Sequence, residues 1–174
     1  MTNSTISSRK LDHIQLAFEA QLSDVDRRFY YEPMLAAHPN LDVIPKIEVA
    51  GAVMLAPIWI SSMTGGAELA GKINLLLAEA CKNHGLGMGL GSCRPVLENS
   101  AFSNDFDIRK HIGEQPLFAN LGIAQIEELI ASNQLQKLID MVNRLQANGL
   151  IIHVNPLQEW MQPEGDRFEL SPLE

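Results

Sequence analysis

Four short apolar segments are the feature that most constrains the fold of this chain. They cover residues 57–62, 86–91, 117–121 and 150–154, and helical stretches at 68–83, 103–112 and 124–147 separate them. Strands that are apolar on both faces are typical of parallel sheets covered by helices. The pattern therefore predicts an α/β fold with four βα steps. Either an open doubly wound sheet or half of an eight-stranded barrel would satisfy it.

The part of the chain before these strands has a different pattern. Residues 1–8 are polar and predict an arm, 9–20 and 27–37 predict helices, and 46–53 predict a strand or one arm of a hairpin. We therefore divide the chain into an N-terminal arm with helices, 1–45, and an α/β part, 46–174.

The charge balance limits the possible partners. The chain of 174 residues has a formal net charge of −8, and nonspecific nucleic-acid binding needs a basic surface, so we expect no nucleic-acid partner. The most apolar run, 49–60, is shorter than the roughly 20 residues that span a bilayer, so we expect no membrane partner. The polar N-terminus has no secretory signal, and Cys81 and Cys93 form no CxxC pair, which together predict a reduced, cytoplasmic protein.

Small and polar residues follow the first three apolar segments, at the end of the strand where parallel α/β folds bind ligands. The run 61–66, Ser-Ser-Met-Thr-Gly-Gly, either contacts a flat ligand or forms an ordinary turn with a helix cap. Alternating glycines in 85–91 leave one strand face bare, to be covered by core residues or by a planar cofactor. Arg94 suits a phosphate clamp or a surface ion pair, and Asn120 suits a ligand contact or a turn.

The fourth apolar segment leads into the most informative stretch, His153-Val-Asn-Pro-Leu-Gln-Glu159. His153 and Asn155 are two residues apart and share one face of a strand. An apolar strand does not bury such groups without polar partners, which favours a functional site over a satisfied core histidine beside a solvated loop. Glu159 offers a carboxylate to Mg²⁺, which takes one or two carboxylates together with phosphate oxygens. Near the N-terminus, the basic cluster of Arg9 and Lys10 is either a surface feature or a diphosphate-binding element.

Taken together, these segments resemble type 2 isopentenyl-diphosphate isomerases. The matching stretches are 9–14, 56–66, 89–92 with Arg94, and 153–159 followed by Gln162-Pro-Glu-Gly-Asp166, in family order and over nearly the whole chain. The resemblance implies a (β/α)8 TIM barrel that binds FMN at its mouth, with this chain as the N-terminal half of about four βα units. It also implies conversion of isopentenyl diphosphate to dimethylallyl diphosphate in isoprenoid biosynthesis, with reduced FMN, NADPH as the flavin reductant, and Mg²⁺.

The resemblance also implies a role for individual residues. It assigns catalysis to His153 and Gln158, and the metal ion to Glu159. It assigns FMN contacts to Ser62, Met63, Thr64, Ser92 and Asn120. It assigns substrate binding to Arg9, Lys10, Ser92, Cys93, Arg94, His153, Asn155 and Gln158.

The length of the chain raises two alternatives to an active isomerase. Members of the family are about twice as long, so we expect this chain to work as a homo-oligomer or with a complementing C-terminal half. The first alternative is an inactive half-barrel fragment or pseudoenzyme. The second is another FMN-dependent barrel enzyme, such as a 2-hydroxyacid oxidase, which the segment from His153 to Glu159 disfavours.

Overall fold

The structure is a computed structural model, and it describes residues 44–62, 68–98, 101–161 and 165–173 together with Met34 and Pro163. The chain divides between Asn40 and Leu41 into two units, and the account below concerns the second of them. The helices predicted at 9–20 and 27–37, the basic pair Arg9 and Lys10, and the flavin contacts Met63 and Thr64 lie outside the described residues. The structure does not test these predictions.

A β-hairpin opens the described part of the second unit. Strands β1 (Ile47–Val49) and β2 (Ala52–Met54) pair antiparallel, with Ile47 opposite Met54 and Val49 opposite Ala52. The two turn residues, Ala50 and Gly51, both have positive φ angles, 50° and 78°. A two-residue turn of this hand matches the twist of the flanking strands, which explains why the pair closes so tightly.

Four parallel strands and six α-helices follow within the residues that the structure describes. The strands form one sheet in the order β3-β4-β5-β6: β3 (Trp59–Ile60), β4 (Gly87–Gly89), β5 (Leu117–Gly122) and β6 (Gly149–His153). The helices are α1 (Glu68–His84), α2 (Arg94–Leu97), α3 (Arg109–Ile112), α4 (Ile123–Ala131), α5 (Leu135–Arg144) and α6 (Pro156–Met161), with a 3-10 helix at Ala101–Phe106. Each apolar segment of the sequence supplies one strand.

The prediction of half a (β/α)8 barrel is wrong for the described chain. Its parallel sheet has four strands in sequence order, and within the described residues neither β3 nor β6 has a strand on its outer side. The structure is a small α/β unit built on an open sheet. Apolar segments specify that strands are parallel and buried, but they do not specify how many strands there are or whether the sheet closes.

Two predicted helices are also corrected. The stretch 124–147 is not one helix, because Asn133 has a φ of 55° and separates α4 from α5. Asparagine adopts this left-handed conformation more easily than most residues. The stretch 103–112 is divided between the 3-10 helix and α3, with Asp107 and Ile108 between them.

The main core lies on the face of the sheet that carries Met88, Leu117 and Ala119. It includes almost completely buried side chains from α1, the 3-10 helix, α3, α5 and the residue that caps α5: Ala78, Cys81, Phe106, Ile112, Met141 and Leu145. No helix in the described residues has both the length and the apolar character needed to cross a bilayer.

The bare face of β4 is covered by a side chain of the protein. The register places Trp59 opposite Gly87, and the Trp59 ring occupies the space that a side chain on Gly87 would fill. The same indole packs edge-on against Phe118, with ring centroids 5.2 Å apart. Of the two alternatives for the alternating glycines, core packing is therefore what the structure shows at Gly87.

Arg109 joins the loops at the amino edge of the sheet. Its guanidinium donates to the carbonyl oxygens of Gly113 (2.8 Å), Gln115 (2.9 Å) and Gln146 (2.9 and 2.6 Å), and to Oδ1 of Asn148 (2.8 Å). Asn148 Oδ1 also accepts from the first amide of β5, at Leu117. Burial lowers the pKa of Arg109, and the charge of Glu114 opposes that shift. One side chain thus fixes the starts of β5 and β6.

Replacing Arg109 by Met should lower the free energy of unfolding by about 3 kcal/mol, because several carbonyl groups lose a charged donor at once. Arg109→Lys should recover only part of the loss, since an ammonium cannot reach both loops as the guanidinium does. Urea unfolding measures both values. Lys110→Met, at the exposed neighbouring position, is the matched control and should change stability by less than about 0.5 kcal/mol. Equal losses at the two positions would contradict this role.

Candidate functional site

Polar side chains collect at the carboxyl edge of the parallel sheet. Ser62 follows β3, Ser92 follows β4, Asn120 lies in β5, and His153 ends β6. The pairing of Asn120 with Ile151 and of Gly122 with His153 puts the ends of β5 and β6 at the same level. Four residues predicted from the sequence, together with Asn155 and Glu159 just beyond β6, therefore share one edge, as parallel pairing requires.

Asn120 connects the first three strands at this edge. Its Nδ2 donates to Ser62 Oγ at 2.9 Å, its carbonyl oxygen accepts from the Cys93 amide at 2.7 Å, and its own amide points to Cys93 Sγ at 3.5 Å. The residue is only 5% exposed. It lies within a strand, so the turn-forming alternative does not apply.

Cys93 lies in the core and not on the surface of the edge. Its side chain is completely buried, and its thiol donates to the Gly91 carbonyl at 3.4 Å. Burial raises the pKa of Cys93 to about 11, although the hydrogen bond from the Asn120 amide acts in the opposite direction. The thiol therefore stays protonated at neutral pH, and in this structure it has no access to a bound ligand.

Arg94 is engaged in two ion pairs. Its Nε donates to Glu98 Oε1 at 3.0 Å and its Nη1 donates to Asp166 Oδ2 at 2.8 Å. The hydrogen bond to Glu98 is the main reason that the pKa of Arg94 is raised. Nearly half of the Arg94 side chain is exposed, so a phosphate could reach it only in competition with these carboxylates. The structure thus shows the ion pair, one of the two alternatives for this residue.

Glu159 is held by two hydrogen bonds from different sides. Asn155 Nδ2 donates to its Oε1 at 3.1 Å, and the backbone amide of Asp166 donates to its Oε2 at 3.0 Å. The Glu159 amide also donates to the Asn155 carbonyl, which fixes the first turn of α6 against the end of β6. The carboxylate is half-buried and oriented at the carboxyl edge.

The structure describes the side chain of His153 but not that of Gln158. The His153 side chain is exposed at the end of β6, so it is not a satisfied core histidine. Gln158 belongs to α6, one residue before Glu159, and its side chain lies outside the described part of the structure. Ser92 is exposed in the loop after β4.

Two residues of this edge were missed by the sequence analysis. Asp166 Oδ2 accepts from Gln125 Nε2 at 2.7 Å as well as from Arg94, so the segment after α6 is tied to α2 and α4. The sequence did contain a signal for Asp166, because the stretch Gln162-Pro-Glu-Gly-Asp166 is part of the resemblance. Gln125 lies in an ordinary amphipathic helix, and nothing in the sequence distinguished it.

The donor set at this edge suits Mg²⁺ bound together with phosphate. Each Glu159 oxygen accepts a hydrogen bond and has a further lone-pair site, which a hard cation can use. Within the described ranges no three His, Cys, Asp or Glu side chains come together, so a metal ion here would need oxygens from a ligand or water. For a flavin, the hydroxyls and amide of Ser62, Ser92 and Asn120 offer polar contacts of the expected type.

No family model matches this chain. Curated relatives do match it. The chain is similar to isopentenyl-diphosphate delta-isomerases. Proteins of that name from Nostoc sp. (38% identity; 91% of this chain and 46% of the relative), Cronobacter sakazakii (39%; 96% and 49%) and Ignicoccus hospitalis (38%; 92% and 45%) align with it. The chain thus spans about half the length of the curated relatives it matches.

The narrower resemblance is corrected by these findings. The relatives carry the name isopentenyl-diphosphate delta-isomerase without a type, and the described fold is an open four-stranded sheet. The prediction of a type 2 enzyme, represented here by its N-terminal half, is therefore replaced by similarity to isopentenyl-diphosphate delta-isomerase. The resemblance in the sequence and the names of the relatives agree in one respect, because both name an isopentenyl-diphosphate isomerase.

Native Cys93 should resist alkylation. A pKa of about 11, against an ordinary 9.0, leaves about 0.1% thiolate at pH 8 instead of about 10%, and burial blocks access as well. Cys81, also buried with a pKa of about 11, should behave in the same way. Mass spectrometry after iodoacetamide treatment at pH 8 measures this, and both cysteines should react fully once urea unfolds the chain. Rapid labelling of Cys93 in the native protein would contradict its burial.

Proposed function

We propose that this chain serves the isomerisation of isopentenyl diphosphate to dimethylallyl diphosphate. The observation that carries the proposal is the Glu159 carboxylate, oriented by Asn155 and by the Asp166 amide at the carboxyl edge of a parallel sheet. The names of relatives that align with more than nine tenths of the chain support the same reaction. A diphosphate with its Mg²⁺ is a ligand that suits such a carboxylate.

The reaction sets definite demands on the residues of the site. The double bond moves from C3–C4 to C2–C3, so one proton is gained at C4 and one is lost from C2, with no net oxidation. Histidine is a common general acid or base in enzymes, and the exposed imidazole of His153 lies at this edge. Gln158 does not titrate, so its proposed part is to orient the substrate by hydrogen bonding. Glu159 would hold the Mg²⁺ that accompanies the diphosphate.

The remaining residues complete the proposed site. Asn155 orients Glu159. Ser92 is proposed to contact the substrate, and so is Arg94, if the diphosphate displaces its carboxylate partners. Arg9 and Lys10 are also proposed as substrate-binding residues, as the resemblance implies.

FMN and NADPH belong to the proposal as cofactor and flavin reductant. When bound, reduced FMN would supply acid-base capacity and electron density to the reaction. The contacts proposed for it are those implied by the sequence: Ser62, Met63, Thr64, Ser92 and Asn120. The hydrogen bond from Asn120 to Ser62 supports a shared polar surface at the ends of β3 and β5.

The test is conversion of isopentenyl diphosphate by the purified chain with FMN, NADPH and Mg²⁺, followed by proton NMR, alongside calorimetric titration with the Mg²⁺-diphosphate. We expect dimethylallyl diphosphate to accumulate, and we expect Glu159→Gln to weaken Mg²⁺-dependent binding about tenfold or more, because the carboxylate charge is lost. Glu169→Gln is the matched control, since Glu169 is an exposed glutamate of the segment after α6. It should behave like the wild-type chain.

The test distinguishes failure of the proposed function from failure of the role assigned to Glu159. Absence of both conversion and Mg²⁺-dependent binding in the wild-type chain would overturn the proposed function. Conversion that is insensitive to Glu159→Gln would keep the reaction and remove the assigned role of Glu159.

A further inference from the structure

Asp166 occupies a central position at the candidate site. Its carboxylate oxygen Oδ2 accepts hydrogen bonds from Arg94 Nη1 at 2.8 Å and from Gln125 Nε2 at 2.7 Å. Its backbone amide donates to Glu159 Oε2 at 3.0 Å. A single residue therefore contacts three elements that lie far apart in the sequence: the start of α2, the first turn of α4, and α6.

We propose that Asp166 is a positioning residue that holds the Glu159 carboxylate and the Arg94 guanidinium in the orientation the site requires. The expected effect on ligand binding rests on the proposed function. The positioning of Glu159 and Arg94 rests only on the three contacts described above. Asp166 acts through its neighbours and is not a catalytic residue.

The effect on Glu159 follows from how the segment after α6 is attached. The Asp166 amide reaches Glu159 only while the backbone at 165–166 stays against α6, and the side-chain bonds to Arg94 and Gln125 anchor it there. Without those anchors the amide loses its fixed position, and one of the two donors that orient the carboxylate is weakened. Partners of a metal-binding carboxylate typically change metal affinity by about 10- to 100-fold when they are removed.

The effect on Arg94 is electrostatic as well as geometric. Glu98 and Asp166 both face its guanidinium, at 3.0 and 2.8 Å. Because Glu98 caps the C-terminal end of the same helix, four residues along, it cannot hold Arg94 toward the segment after α6. Asp166 is therefore the partner that directs Arg94 across the carboxyl edge.

The contacts of Asp166 with Arg94 and Gln125 contribute little to the free energy of folding. Their effect on the site can therefore be measured separately from an effect on stability. The Arg94 and Asp166 side chains are 46% and 38% exposed, and ion pairs so accessible to water contribute little to folding. A structural defect would lower the melting temperature, whereas a positioning defect should change the site and leave that temperature nearly unchanged.

The experiment compares Asp166→Ala and Asp166→Asn with Asp140→Ala in the full chain. Asp140 accepts from Gln136 on the exposed face of α5 and is the matched control. In Asp166→Ala we expect amide hydrogen exchange at position 166 to rise about tenfold and the Mg²⁺ concentration for half-maximal isopentenyl diphosphate binding to rise about tenfold. Asp166→Asn keeps an acceptor for Arg94 and Gln125, so it should recover much of both effects. Asp140→Ala should match the wild-type chain.

The failures can be told apart. Unchanged exchange at position 166 in Asp166→Ala overturns the positioning role, whatever the activity. Faster exchange in a chain that never binds the Mg²⁺-diphosphate keeps the positioning of Glu159 and overturns the proposed function. Faster exchange together with normal Mg²⁺ dependence also overturns the inference, because the contact would then not matter to the site.

Discussion

Parallel pairing of β3, β4, β5 and β6 is the constraint on which the rest of the structure depends. It forces four consecutive strand ends to one edge, although the residues that follow them are tens of positions apart in the sequence. Ser62, Asn120 and His153 meet at that edge for this reason. Arg109 supports the same arrangement from the opposite edge, because it fixes where β5 and β6 begin.

The hydrogen bonds at the carboxyl edge separate residues that build the site from residues available to a ligand. Cys93 is buried, with its amide and its sulfur both hydrogen-bonded to the Asn120 backbone, so it shapes the edge from within. His153 and Ser92 are exposed, and Glu159 is half-buried with both oxygens oriented. An oriented carboxylate and an exposed imidazole at one edge of the sheet suit the diphosphate binding and proton transfer that we propose.

The sequence predicted the local elements and not their assembly. The apolar segments locate all four parallel strands, because burial on both faces leaves a signal in composition. Closure into a barrel was expected from resemblance alone, and the open sheet corrects it. The split between α4 and α5 depended on the conformation of Asn133, which apolar periodicity does not report. Gln125 could not be found because its role comes from a contact with Asp166, 41 positions away.

The account's central claim is that a Mg²⁺-diphosphate binds at the carboxyl edge beside Glu159. The most direct measurement replaces Mg²⁺ by paramagnetic Mn²⁺ in the presence of isopentenyl diphosphate and records amide signals by NMR. The account predicts selective broadening of signals near Glu159, including Asn155 and Asp166, with sharp signals at Gln115 and Asn148 on the opposite edge. Uniform broadening, or broadening centred away from Glu159, would contradict it.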